Sequence, residues 1–293
     1  MHKLIALAAS LVAAAGISAG TASPALASST AHARECWGSN RGNYDAFHAA
    51  IPQSHCVRTY FDQVDVFPSI WPRTVPQGTW QLLSIRPSYA ALMNGSEDAR
   101  IHQLCATAPP HARITIYHEN AGGNPLNYPP SIHNPAHYVA MQQHMEALCK
   151  GTPARFGVLI IAPFGSVLNW LYNGDGWFGY DFFAFPRYLN KNGTVNVTAV
   201  ETRMTNNLKV LQKFTGRLHP PIVLGETNAH RDFQRKTWFD IEAQWFATHD
   251  GHVPGWILTR WTDQTGVHSG LSGPWPPSAP VVAELHNLAW LYQ

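Results

Sequence analysis

The sequence predicts an α/β fold, a single barrel of eight parallel strands surrounded by helices. Short apolar runs of strand length recur along the chain, and each leads through polar, Gly or Pro residues into a stretch with helical spacing. Continuous apolar runs such as 158–161 suit parallel strands that are buried on both faces. The 293 residues suffice for one large domain, and eight such units match the size and rhythm of the TIM barrel.

Eight candidate strands can be placed in the sequence. They are predicted at residues 35–37, 56–61, 80–85, 113–117, 156–162, 180–185, 221–225 and 256–260. An open doubly wound sheet is the alternative, but such a sheet usually carries a glycine-rich phosphate loop after its first strand. No G-x-G-x-x-G pattern follows Trp37, so the closed barrel is the preferred architecture.

Capping residues predict where the helices begin and end. Ser96 is expected to cap a helix that has two acidic residues in its first turn. Asn134 followed by Pro135 is typical of a helix start, and this helix is expected to end near Cys149. Further helices are predicted over 195–214, 233–248 and 280–292.

The first residues have the features of a secretory signal peptide. A basic residue precedes an apolar run over 4–17, and residues 25–27, Ala-Leu-Ala, supply the small-x-small cleavage pattern. We therefore expect 1–27 to be a signal peptide and 28–293 to be one secreted, extracellular barrel domain. A retained membrane anchor is the alternative, but Gly and Pro residues break the run short of the ~20 apolar residues that a membrane span needs.

Export makes the four cysteines candidates for two disulfide bonds, because an oxidising compartment favours them. Four cysteines allow three pairings, and counting alone does not choose among them. In the barrel, Cys36 and Cys56 would start neighbouring strands, while Cys105 and Cys149 would end neighbouring helices. The barrel therefore favours the pairs Cys36–Cys56 and Cys105–Cys149. A metal site is the alternative, but the cysteines lack Cys-x-x-Cys spacing.

The composition limits the classes of binding partner. The 20 Lys and Arg against 18 Asp and Glu give a net charge of +2 without any basic run, so the electrostatic footprint of nucleic-acid binding is missing. The 11 Trp and 10 Tyr are many for this length, and such rings are costly to expose unless they stack on something. We expect a monomer that binds no nucleic acid.

Carboxylates follow four of the predicted strands. Catalytic groups of β/α barrels lie at the carboxyl ends of the strands, where the chain has Asp62, Glu119, Glu226 and Asp263. A carboxyl group at the mouth of an apolar strand loses hydration, so one can be held protonated while another stays ionised. A strand-end glutamate alone is more often a salt-bridge partner or a cap. Two of them, at strands four and seven, suit the paired carboxylates of glycosidic cleavage.

These segments carry a family resemblance. The chain resembles the clan of retaining β/α-barrel glycosidases, whose acid/base glutamate ends strand four and whose nucleophile ends strand seven. Within the clan it is most similar to glycoside hydrolase family 26, the endo-β-mannanase family, because His118 precedes Glu119 and Gly225 precedes Glu226. Trp261 stands where the clan usually has a sugar-platform Trp. The chain departs from the family over 121–125, which read Ala-Gly-Gly-Asn-Pro.

The resemblance implies a retaining, endo-acting glycoside hydrolase that cleaves a β-linked polysaccharide, mannan-type or a related β-glycan, by double displacement. Ionised Glu226 would attack the anomeric carbon while protonated Glu119 donates to the leaving oxygen. A water would then resolve the glycosyl-enzyme with Glu119 as base. No cofactor and no metal are expected.

Binding roles are predicted around this pair. His118 is placed to hydrogen-bond the sugar or the nucleophile, and Arg86, just past strand three, is expected to orient Glu226. For both residues, packing or a rim salt bridge is the alternative. Three aromatic residues are predicted to stack on sugars from the same face: Trp170, Tyr188 and Trp261.

Other classes of protein fit less well. A metal hydrolase is considered because of the 16 histidines, but the His133-x-x-x-His137 spacing spans a predicted helix start. A serine hydrolase is disfavoured because no Gly-x-Ser-x-Gly elbow occurs in the predicted barrel domain, 28–293. The main alternative is a non-catalytic carbohydrate-binding protein on a degenerate glycosidase barrel.

Overall fold

The computed structural model describes most of the barrel. The residues described are 37–40, 44–50, 52, 56–61, 71, 79–110, 112–117, 134–161, 168–183, 186–229, 232–249 and 255–259. The predicted signal peptide over 1–27 and the predicted helix over 280–292 lie outside these residues and stay predictions.

Eight parallel strands form the sheet, and each is hydrogen-bonded to the next along the chain. They are β1 (Trp37–Asn40), β2 (Cys56–Phe61), β3 (Trp80–Ile85), β4 (Arg113–Ile116), β5 (Arg155–Ile161), β6 (Trp177–Phe183), β7 (Ile222–Asn228) and β8 (Gly255–Thr259). β8 also pairs with β1, with Ile257 opposite Trp37, so the strand order closes on itself. The predicted α/β class with a parallel sheet is confirmed.

Within the described residues, helices follow several of the strands. The α-helices of the described ranges are α1 (Tyr44–Ala50), α2 (Tyr89–Met93), α3 (Asp98–Ala106), α4 (Pro135–Cys149), α5 (Val197–Thr215) and α6 (Asp232–Thr248). Two 3-10 turns, Leu168–Trp170 and Pro186–Tyr188, lie before and after β6. None of the helices in the described ranges is long and apolar enough to cross a membrane.

The predicted strand positions agree with the structure to different degrees. The bounds of β2 and β3 are confirmed residue for residue. β1 was expected at 35–37 and is described over Trp37–Asn40. β7 was expected to end at Gly225 but continues to Asn228, because its polar last residues pair with Phe182 and Phe183 of β6.

The sheet is buried on both of its faces. Val158 and Ile160 of β5 point outward into the apolar layer beneath the helices, whereas Leu159 between them belongs to a cluster inside the barrel. This alternation follows from the two-residue period of a strand. The inner cluster consists of Cys56, Leu82, Leu159, Trp177 and Val223. Burial on both faces explains why β5 is a continuous apolar run.

Trp177 fills the end of the barrel where the strands begin. Its ring is 1% exposed, and its Nε1 donates to the carbonyl oxygen of Arg155 at 2.9 Å. Gly157 faces it from β5, where a Cβ would lie 2.2 Å from the ring, so this position requires glycine. The guanidinium carbon of Arg113 lies 5.9 Å from the ring centroid. Burial, and secondarily Arg155, lowers the pKa of Arg113 to about 10.

The predicted start and end of α4 are confirmed. The Asn134 side chain accepts a hydrogen bond from the backbone N–H of Ala136 at 2.9 Å, and Pro135 occupies the first turn. The helix ends at Cys149. The N-cap and the proline together satisfy or remove backbone donors that would otherwise lack partners, which fixes the start of this helix.

The predicted cap at Ser96 is wrong. α3 begins at Asp98 with Glu97 as its N-cap residue, and Glu97 makes no capping hydrogen bond with its side chain. The Ser96 hydroxyl instead donates to the carbonyl oxygen of Ala91 in α2 at 3.1 Å. α2 is a short helix that the sequence did not predict, and its last turn engages the serine before α3 begins.

The disulfide Cys105–Cys149 is confirmed. It joins α3 to the last residue of α4, with the two Cα atoms 5.2 Å apart, and both cysteines are buried. Cys56 is also disulfide-bonded, but its predicted partner Cys36 lies outside the described residues, so the pair Cys36–Cys56 stays a prediction.

Replacing both Cys105 and Cys149 by Ala should destabilise the barrel. The bond closes a loop with a sequence separation of 44. Restricting the unfolded chain over such a loop contributes about 4 kcal/mol to the free energy of unfolding. Urea denaturation of the double variant and of the wild type under non-reducing conditions measures the difference. An unchanged midpoint would show that the bond does not constrain the unfolded chain.

Candidate active site

Glu226 lies on β7 at a β-bulge. Along β6, Tyr180 pairs with Leu224, but the next residue, Asp181, pairs with Glu226, so Gly225 is skipped. Along β8, the register slips in the same place, between Leu224 and Thr227. β7 therefore holds one extra residue relative to both neighbours. Bulges of this kind redirect side chains and often occur beside active sites.

A charged pair crosses the barrel interior beside this bulge. The Arg58 Nη1 of β2 lies 3.2 Å from the Asp181 Oδ1 of β6, and both side chains are 1% exposed. The Arg58 Nε donates to the hydroxyl of Ser84 on β3 at 3.1 Å, and the guanidinium carbon lies 4.7 Å from the ring centroid of Tyr60. Buried charges survive in a folded protein only when they are paired in this way.

Gly225 lets this pair approach β7. A Cβ at Gly225 would lie 2.9 Å from the Asp181 Oδ1, 3.0 Å from the Arg58 Nη1 and 2.1 Å from Leu159. Any larger side chain would push the pair away from the strand. The guanidinium and the carboxylate therefore pack directly against the peptide that precedes Glu226.

The structure places Arg58 against β7, while the predicted role of Arg86 toward Glu226 stays a prediction. Arg86 directly follows β3, as expected, and is partly buried. The arginine packed against β7 is Arg58, which the sequence reasoning missed. Its signal was present, because Arg58 and Asp181 each interrupt an otherwise apolar strand at an inward-facing position. A charge at such a position needs a buried partner across the barrel.

The end of β4 holds the chain in a left-handed conformation. Tyr117 has φ of 42° and is buried, although only glycine reaches this region without strain. Its hydroxyl donates to the carbonyl oxygen of Pro87, and its N–H donates to Ile85 at 3.1 Å. The Tyr138 hydroxyl of α4 donates to the carbonyl oxygen of Ile116 at 2.8 Å. These contacts hold Tyr117 in the left-handed conformation, two residues before Glu119 in the sequence.

The candidate acid/base and two of the predicted binding residues are not placed. His118, Glu119 and Trp261 lie outside the described residues, so their predicted roles stay predictions. For Glu226, the strand position is described and the predicted role also stays a prediction.

Of two aromatic residues predicted to bind sugar, Tyr188 is buried, whereas Trp170 is half-buried and its predicted role stays a prediction. Tyr188 is 4% exposed, and its ring packs 5.4 Å from Phe182 and 5.8 Å from Trp238, measured between centroids. The 3-10 turn at Pro186–Tyr188 points it into the outer layer, so a sugar face is not accessible there. The Trp170 ring lies 6.2 Å from that of Tyr138 in α4 and packs on the same layer.

A second group of buried polar side chains lies outside the sheet, between β7 and α6. The Thr227 hydroxyl accepts a hydrogen bond from the Nε1 of Trp238 at 2.8 Å and donates one to the Glu242 Oε1. All three residues are fully buried. Burial raises the pKa of the Glu242 carboxyl well above its ordinary value, and the hydrogen bonds from Thr227 and Trp238 oppose this only in part. The carboxyl therefore keeps its proton to higher pH than an exposed glutamate does.

The metal-site alternative gains nothing from the residues that are described. Within them, no group of three His, Cys, Asp or Glu side chains could hold a metal ion. His137 lies in the first turn of α4 and stacks on the ring of Tyr89, with the centroids 4.7 Å apart.

Replacing Glu242 by Gln should change how stability depends on pH. In the unfolded chain this carboxyl titrates near about pH 4.3, while in the folded protein it keeps its proton to higher pH. Between the two pKa values the folded state binds more protons, so the free energy of unfolding falls by up to about 1.4 kcal/mol per pH unit. The neutral amide lacks this slope. The variant should therefore gain stability relative to the wild type as pH rises.

Urea denaturation between about pH 4 and about pH 8 measures this difference. Glu201→Gln is the control, because Glu201 is exposed on α5. A difference that does not change with pH, or that changes in the opposite direction, would show that Glu242 is ionised in the folded protein.

Comparison with known proteins finds similarity in structure alone. No protein-family model matches the chain, and no curated protein matches its sequence. A GH5-4 broad specificity endoglucanase from Clostridium cellulovorans is 10% identical with a TM-score of 0.60, over 90% of this chain and 96% of that chain. Thermotoga maritima Cel5A in complex with cellobiose is 12% identical with a TM-score of 0.53, over 89% and 99%.

These likenesses establish the fold. A hyperthermophilic endo-β-1,4-glucanase, solved with substrate, is 11% identical with a TM-score of 0.54, over 89% of this chain and 99% of that one. These neighbours belong to the clan of retaining β/α-barrel glycosidases to which the sequence pointed. They are GH5 endoglucanases, so the narrower resemblance to glycoside hydrolase family 26 receives no support from them.

Proposed function

We propose that this chain is a secreted retaining glycoside hydrolase on an eight-stranded TIM barrel, and that it cleaves a β-linked polysaccharide by double displacement. The observation that carries the proposal is the position of Glu226, on the seventh strand at a bulge packed against the buried Arg58–Asp181 pair. The similarity in fold to endoglucanases supports the same class of reaction.

In this proposal Glu226 is the nucleophile. The attack on the anomeric carbon requires the ionised form of its carboxyl group. A bond forms between the Glu226 carboxylate and the anomeric carbon while the bond to the leaving oxygen breaks. In a β/α barrel the carboxyl ends of the parallel strands meet at one end of the barrel, and Glu226 would act there.

Glu119 is the proposed general acid and base. It follows Tyr117 by two residues, and the left-handed turn at Tyr117 is the kind of strained backbone that concentrates at active sites. Glu119 would protonate the leaving oxygen, then take a proton from the water that releases the sugar from Glu226. Retention of configuration requires the two carboxyl groups to lie about 5–5.5 Å apart.

The proposed substrate is a mannan-type or related β-glycan, cut internally. The names of the structural neighbours include complexes with cellobiose and cellotriose, so β-1,4-glucans belong among the candidates. His118, Arg86 and Trp261 are proposed to bind the sugar. Trp170, half-buried beside α4, is proposed to bind it as well, and Tyr188 is left out because its ring is buried.

Replacing either glutamate should abolish hydrolysis in a folded protein. We expect Glu119→Gln to lower kcat by about 10²–10⁴-fold, the usual contribution of general acid catalysis. Glu226→Gln should lower it at least as much, because no covalent intermediate forms. Release of reducing sugar from mannan, glucomannan, carboxymethylcellulose, mixed-linkage glucan and xylan measures turnover, and ¹H NMR of the first-formed anomer measures retention.

Glu201→Gln is the matched control, because Glu201 is exposed on α5, and it should hydrolyse like the wild type. An active Glu226→Gln variant would contradict the nucleophile assignment, and a product of inverted configuration would contradict double displacement. A wild type that binds these glycans without cleaving any of them would instead support the non-catalytic carbohydrate-binding protein.

A further inference from the structure

The bulge in β7 interrupts regular strand pairing at Glu226, the proposed nucleophile. With one extra residue between Leu224 and Thr227, the Gly225 and Glu226 peptides cannot both keep regular pairing with β6 and β8. Regular pairing with both neighbours resumes at Thr227, opposite Phe182 of β6 and Thr259 of β8. Whatever holds Thr227 therefore sets where the bulge ends.

Thr227 is held from outside the sheet by two side chains of α6. Its hydroxyl accepts a hydrogen bond from the Nε1 of Trp238 at 2.8 Å and donates one to the Glu242 Oε1. The Thr227 hydroxyl thus uses its donor and one of its acceptor sites. Trp238 and Glu242 are four residues apart on α6, so they lie on one face of the helix. We call these three residues the Thr227 clamp.

The clamp is buried and closely packed. Each of its three residues is fully buried. The Trp238 ring is wedged between Phe182 and Tyr188, with centroid distances of 4.9 Å and 5.8 Å. Hydrogen bonds that are shielded from water in this way are strengthened by the low local dielectric and resist exchange with solvent.

An apolar residue would serve the packing at this position. The outward-facing residues of β7 before the bulge are Ile222 and Leu224, both apolar and buried in the same layer. A buried carboxyl such as that of Glu242 costs stability that an aliphatic side chain would not. Along β7, the outward position next to Glu226 is thus polar where the two earlier outward positions are apolar, which indicates a task beyond stability.

We propose that Thr227, Trp238 and Glu242 are positioning residues that fix the Glu226 peptide at the bulge. Inside the barrel, the Arg58–Asp181 pair and Leu159 leave no room for a side chain at Gly225, and outside it the clamp holds Thr227. The bulge is pinned at both ends. The inference rests on the proposed role of Glu226, for which a displacement of about 1 Å is enough to cost about 10²-fold in rate.

Two pairs of variants separate the hydroxyl and carboxyl contacts from side-chain volume. Thr227→Val removes the hydroxyl at nearly constant shape, and Thr227→Ser restores it. Glu242→Leu removes the hydrogen bond, and Glu242→Gln keeps an acceptor in a neutral group, which matches a carboxyl whose pKa burial raises. Gln244→Ala, exposed on α6, controls for changes to the helix itself.

Amide hydrogen exchange of the 222–228 segment is the first measurement, because it does not depend on activity. We expect exchange at least about tenfold faster in Thr227→Val and Glu242→Leu, confined to this segment, with near-normal exchange in Thr227→Ser and Glu242→Gln. Unchanged exchange, or an acceleration spread evenly over the barrel, would overturn the proposal and leave the clamp a stability element. If Thr227→Val does not fold, the comparison of Glu242→Leu with Glu242→Gln tests the proposal.

Turnover is the second measurement, made well below the unfolding temperature of each variant. The disrupting variants should lose about 10- to 100-fold in kcat with KM within about twofold, and the conservative variants should recover it. Local loosening with full kcat would overturn the positioning role. If the wild type hydrolyses none of the glycans, the proposed function is wrong. The hydrogen-exchange result alone would then test whether the clamp fixes the bulge.

Discussion

The Arg58–Asp181 pair is the interaction on which the rest of the barrel interior depends. Removing two charges from water costs several kcal/mol for each ion, and only a close partner offsets this. The partners come from β2 and β6, on opposite sides of the barrel, so the pair forms only when the barrel is closed. Gly225 then gives the pair room against β7. Closure of the sheet, the charge pair and the glycine are thus one connected requirement.

The interior changes character along the strand direction. Toward the strand starts it is apolar, with Cys56, Leu82 and Val223 in one cluster. Two residues further along, the inward positions of β2 and β3 are Arg58 and Ser84. Because side chains on one face recur every two residues, this change occurs at one level of the barrel. The Arg58–Asp181 pair therefore lies nearer the strand ends than the apolar cluster does.

Local signals made much of this fold predictable, and long-range ones did not. The apolar runs of β2 and β3 and the capping pair at 134–135 depend on neighbours in the chain, and both agreed with the structure. The role of Ser96 depended on an unforeseen helix, and the burial of Tyr188 depended on a 3-10 turn. Arg58 finds its partner 123 residues away, so only the assembled barrel reveals the contact.

The Trp177 side chain fills the barrel interior at the end where the strands begin, and this limits how a long polymer can approach. The indole packs against Gly157 and occupies the barrel axis there. Under the proposed function, a polysaccharide would therefore bind across the opposite end of the barrel, and its products would leave from that same end.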